Sequence, residues 1–198
     1  MNLTSLRTDQ AKRQIIILGV LSLVMMITRF HHEGSAFFLP DASLAVFFLA
    51  GAFLEGLLSY WLLLILAAAV DYIAITALSV SSYCISPAYL FLAPTYAALW
   101  FGGRFVKHAP FRSLKHYALL LTMTVVFSSA IAFLISNASF YWLSGKISGT
   151  GIIDFAVELV GEFSPYVGAT LFYVLFGLGI NALLRSLASI HLSRVDSL

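Results

Sequence analysis

Apolar runs long enough to cross a lipid bilayer follow one another along nearly the whole chain and leave little room for anything else. A bilayer core about 30 Å thick takes roughly 20 apolar residues per helical crossing. Inside it no water satisfies backbone N–H and C=O groups, so each run must close its hydrogen bonds internally as a helix. The fold class read from this is an all-α integral membrane protein. Composition agrees, because 61% of the 198 residues are hydrophobic and 10% are charged, against about 25% charged in an ordinary soluble domain. No stretch between runs could hold a soluble domain, so residues 1–198 read as a single membrane domain.

The runs predict six transmembrane helices at about 13–30, 42–55, 57–75, 88–106, 116–142 and 165–188. The second and third come from one apolar stretch too long for a single crossing, and Gly51, Glu55 and Gly56 mark a hairpin within it. The first run follows Arg7, Lys12 and Arg13 but lacks a small-x-small cleavage site, which argues against a removed signal peptide. Arg29 at its end is expected to snorkel to the headgroups.

Lysine and arginine are retained on the cytoplasmic side. With the N-terminus inside, nine of them (Arg7, Lys12, Arg13, Arg104, Lys107, Arg112, Lys115, Arg185 and Arg194) fall on inner segments and two, Arg29 and Lys146, on outer ones. Both termini are therefore expected in the cytoplasm, and the outer side becomes acidic. The formal net charge of +2, divided among separate loops, gives no reason to expect nucleic acid. Two outer segments look structured. Residues 31–41, HHEGSAFFLPD, carry Phe37, Phe38 and Leu39 and are expected to fold back over the bundle. Residues 151–162 place Asp154, Glu158 and Glu162 at a helical spacing opposite apolar residues, predicting an amphipathic helix on the outer surface.

This topology brings residues distant in sequence to one depth at the outer edge: His31 and His32 after the first helix, Asp71 and Tyr72 in the third, Tyr83 and Cys84 in the following loop, and Tyr89 opening the fourth. An ionisable group such as Asp71 beside LLLILAAAV needs a partner or a wet cavity. It reads either as pocket-lining or as a carboxylate in headgroup water. Cys84 is the only cysteine, so it has no disulfide partner in the chain. It is either a small buried hydrophobe or a thiol kept for its chemistry, since thiolate is a soft, strongly donating ligand for late transition metals. One cysteine, two adjacent histidines and an aspartate lack the short, regular ligand spacing of structural zinc. Aromatics gather at the same edge, partly as an ordinary interfacial belt. No G-x-x-x-x-G-K-[ST], H-E-x-x-H or G-x-S-x-G occurs, so neither a nucleotide loop nor a hydrolase site is expected.

Taken together, the six helices, the TRFHHEGS segment, the Asp71-Tyr72 pair and SSYCISPAYLF with its lone cysteine five residues before Tyr89 resemble the BtuM-type cobalamin transporters over essentially the whole chain. These are small bacterial inner-membrane proteins related to the substrate-binding S-components of energy-coupling factor (ECF) transporters. The resemblance implies uptake of cobalamin (vitamin B12) from a site facing the periplasm. By position it puts the axial cobalt ligand on Cys84, with His32, Asp71 and Tyr89 around the vitamin. His31, Phe38, Tyr72 and Tyr83 are further candidate contacts at that edge.

A corrin ring leaves only an axial position open, so one soft ligand suffices and no independent metal or nucleotide is called for. Assistance by Cys84 in reductive decyanation of cyanocobalamin is a further expectation. Besides cobalamin and membrane lipid, the expected partner is either none or a shared ECF coupling module. Conventional S-components dock through A-x-x-x-A motifs on their first helix, whereas QIIILGVLSLVMMITRF here offers only Gly19 and Ser22, favouring members that act alone. The alternatives are a membrane thiol or haem redox protein, and an S-component for a different vitamin.

Overall fold

The computed structural model describes residues 3–29, 40–77, 86–145, 147, 149 and 151–195. Among them the chain forms six α-helices and no strand: α1 (Leu3–Arg29), α2 (Ser43–Phe53), α3 (Leu58–Ala77), α4 (Leu92–His108), α5 (Leu114–Leu143) and α6 (Ile152–Val195), with a 3-10 segment at Pro87–Phe91 leading into α4. Four stretches are long and apolar enough to cross a membrane: Arg7–Arg29, Leu58–Ala77, Leu114–Leu143 and Ile152–Leu184. Large apolar side chains also cover the outside, among them Ile65, Phe101, Phe127, Leu134 and Phe172, each at least 60% exposed. A bundle clothed in this way matches hydrocarbon, and the chain is a multi-pass membrane protein.

The shortest helix is the innermost. Ser43, Ala45, Val46, Phe47, Phe48, Leu49, Ala50 and Gly51 of α2 are all buried, as expected for a helix apolar on every side. It packs against α1, α3, α4 and α6. At its core the Phe47 ring stacks on Tyr96 with centroids 4.3 Å apart and 5° between planes, and meets Tyr60 edge-on at 5.6 Å. The approach of α4 depends on glycine: a Cβ on Gly51 would overlap the Trp100 carbonyl, and one on Gly103 would overlap that of Phe48. Two buried hydroxyls bond the carbonyl four residues back: Thr95 donates to that of Phe91 at 2.7 Å and Ser128 to that of Thr124 at 2.7 Å.

Several expectations are corrected. Gly51 lies inside α2 rather than in the hairpin, which turns at residues 54–57 with Gly56 at φ +70°. The separate surface helix expected at 151–162 does not exist as such. Those residues and the expected sixth span form one helix, Ile152–Val195. Pro165 lacks the N–H that would reach the Gly161 carbonyl, yet the flanking residues keep helical geometry. The helix α1 begins at Leu3, about ten residues before the expected start, because the polar residues ahead of Gln14 continue it. The segment 31–41 expected to fold back lies outside the described residues up to Leu39.

A polar clasp closes the end of the bundle at the α2–α3 turn. Gln14 of α1 donates to the Phe53 carbonyl at 3.2 Å and accepts from the Glu55 N–H at 2.8 Å. Lys107 Nζ donates to Glu55 Oε1 at 2.6 Å, and Arg104 stands 3.8 Å from the same carboxylate. The hydrogen bond from Lys107, aided by its charge, holds the Glu55 carboxyl below its ordinary value of 4.5. A depressed acid adds stability that is complete above the unfolded value and lost as pH falls through the folded one. Glu55→Gln is therefore expected to lower the melting temperature slightly at neutral pH, with the difference from the parent vanishing well below pH 4.5. The carboxylate is 54% exposed, so added salt should shrink the effect as well.

Candidate functional site

At the opposite end of α2, one guanidinium gathers three helices. Arg29, the last residue of α1, is only 5% exposed. It does not snorkel to the headgroups; it turns into the bundle. Its Nε donates to Asp71 Oδ1 at 2.6 Å and its Nη2 to Asp71 Oδ2 at 2.7 Å, a bidentate pairing of fork with carboxylate. Nη1 faces three acceptors: Tyr96 Oη at 2.7 Å, Ser43 Oγ at 2.9 Å and Asp41 Oδ2 at 3.1 Å. The guanidinium carbon also lies 5.9 Å from the Tyr96 ring centroid.

The acids are held in turn by their surroundings. Asp41 Oδ1 accepts from the Ser43 N–H at 2.9 Å and from Ser43 Oγ at 2.6 Å, fixing the start of α2. Thr28 Oγ accepts from the Ala42 N–H at 3.2 Å, and Tyr173 of α6 donates to the Pro40 carbonyl at 2.9 Å, so α1 and α6 both grip the entry to α2. On Asp71, Oδ2 also accepts from Tyr89 Oη at 2.7 Å. This bond ties α3 to the 3-10 segment and so brackets residues 78–85, the stretch that carries Cys84. Ser86 Oγ, at the edge of that stretch, is buried with no hydrogen-bond partner among the described residues.

Of the residues singled out in the sequence, Asp71 and Tyr89 are thus brought together directly. Tyr72 is not, since it is 69% exposed and points to the outside of the bundle, one helical step of about 100° from Asp71. His31, His32, Phe38, Tyr83 and Cys84 lie outside the described residues. Arg29, Asp41, Ser43 and Tyr96 complete the network but were not singled out. The available signal was charge: Arg29 is the lone lysine or arginine on the side expected to be acidic ahead of residue 146, and a cation there has two nearby acids to find.

Chemically, the arrangement holds positions. Asp71 accepts three hydrogen bonds, two of them from a cation. It orients the Tyr89 hydroxyl and locks the end of α1 to α3. No cluster of three metal-ligating side chains occurs among the described residues. Neither a protein-family model nor a curated protein matches the sequence.

Proposed function

We propose that the chain binds cobalamin and carries it across the bacterial inner membrane, taking it up from the periplasm with Cys84 as axial ligand to cobalt. In this reading all six helices cross the membrane, α2 and α4 as short inner crossings, and both termini are cytoplasmic. His32, Asp71 and Tyr89 surround the vitamin, with His31, Phe38 and Tyr83 at the margin. The observation that carries it is the 2.7 Å bond from Tyr89 to Asp71, which joins the two elements flanking the cysteine segment. A sulfur that must reach a metal at one axial position needs its backbone anchored on both sides, and a buried ion pair beneath Tyr89 supplies such an anchor.

Cysteinate on cobalt would push electron density toward the opposite axial ligand. With one electron from an external thiol, cobalt(III) would become cobalt(II), and cyanide would leave with the bonding pair. Purified protein given cyanocobalamin is expected to show shifted corrinoid absorption bands. Cys84→Ala should abolish both the shift and cyanide release. If Cys84→Ala reproduced the parent spectrum and decyanation, the assignment would be wrong. Haem bands in the material as isolated would instead favour a redox protein.

A further inference from the structure

A groove of about 590 Å³ opens at the other end of the bundle, between the last turns of α4 and the first turns of α5. Arg104, His108, Arg112 and His116 line it together with Phe101 and Phe105, and no acidic residue does. Glu55 answers Arg104 and Lys107, whereas Arg112 forms no ion pair with any described residue. The wall is as distinctive as the mouth. Phe101 and Phe105 are 63% and 59% exposed, and the nearby Phe111 and Leu114 reach 70% and 76%. A cationic mouth therefore continues into an apolar wall on the outside of the bundle.

That pairing selects a class of ligand. Guanidinium groups match phosphate oxygens in a planar, two-pronged geometry. Aromatic side chains facing hydrocarbon match an acyl chain. A free phosphate would use the mouth and leave the wall idle, and a zwitterionic headgroup would bring its own ammonium toward an uncompensated Arg112. We infer that this groove holds the phosphate headgroup of an anionic phospholipid, with an acyl chain along Phe101 and Phe105. The site is remote from the Arg29 network and does not rest on the cobalamin reading.

The test uses the full chain in nanodiscs of equal phosphatidylglycerol and phosphatidylethanolamine, released and weighed by native mass spectrometry. The parent is expected to retain phosphatidylglycerol about fivefold more than phosphatidylethanolamine. Arg112→Gln, in the exposed connection between α4 and α5, should bring the ratio close to one at an unchanged melting temperature. Phe105→Ala should reduce retention of dioleoyl-phosphatidylglycerol and leave that of the dihexanoyl form unaltered. Equal retention of both lipids by the parent, or an undiminished preference in Arg112→Gln, would overturn the inference. So would displacement of phosphatidylglycerol by millimolar inorganic phosphate irrespective of chain length, which would mark a soluble-anion site.

Discussion

Arg29→Met is expected to destabilise the protein by about 3–5 kcal/mol, the range found when one partner of a buried ion pair is removed and the other is left behind. Here two carboxylates are left. Asp71, 15% exposed, loses both prongs of its cation, and Asp41, 33% exposed, loses a 3.1 Å partner. The hydroxyls of Ser43 and Tyr96 lose a charged donor at the same time. Thermal unfolding of the detergent-purified protein measures the effect. The double variant Arg29→Met, Asp71→Asn should recover part of the loss, because a neutral amide in that position no longer carries an unpaired charge. Arg29→Lys should fall between the two, keeping the charge but not the planar fork. A melting temperature of Arg29→Met equal to the parent's would show that the network contributes nothing.

The second large effect belongs to the contact between α2 and α4. Gly103→Val would drive side-chain atoms into the Phe48 carbonyl, where even a Cβ overlaps backbone, and relief requires moving one helix off the other. Overpacking of a filled interior costs about 1–3 kcal/mol, and the upper end or beyond is expected here because the obstacle is main chain. Gly103→Ala and Gly51→Ala should also destabilise, although alanine is the better helix former by about 1 kcal/mol. Gly168 and Gly179 in α6 supply the control. A Cβ there meets nothing within 4 Å, so alanine should be neutral or stabilising. Unfolding temperatures that ranked all four alanine variants alike would refute the close approach.

Sequence patterning revealed the helices well, because lipid admits few alternatives to them. The second, third, fourth and fifth came within a few residues of their observed bounds. It did not reveal their arrangement. That α2 is the central helix follows from burial on every side, and an apolar run reads the same whether it faces lipid or protein. Gly51 read as a turn residue because it stands near Glu55 and Gly56; only its neighbour across the interface, Trp100, explains it. The continuity of α6 through Pro165 overrode a local helix-breaking signal. In the site, Asp71 and Tyr89 were legible from the anomaly of polar groups among apolar ones. Arg29 was not, because a basic residue at the end of a span ordinarily reaches outward, and its inward turn depends on acids 12 and 42 residues away.

The brevity of α2 sets a depth. From Phe53, beside the Gln14 clasp, back to Ser43, beside Arg29, is ten residues, a rise of about 15 Å. The Arg29 guanidinium therefore lies about 15 Å along the bundle from the clasp at Glu55. The last six residues of α3 beyond Asp71, about 9 Å of helix, continue past that level. Any solute touching Tyr89 would meet a hydroxyl bonded to α3 six residues short of that helix's end, and its polar groups would have to be answered by side chains already committed to joining helices.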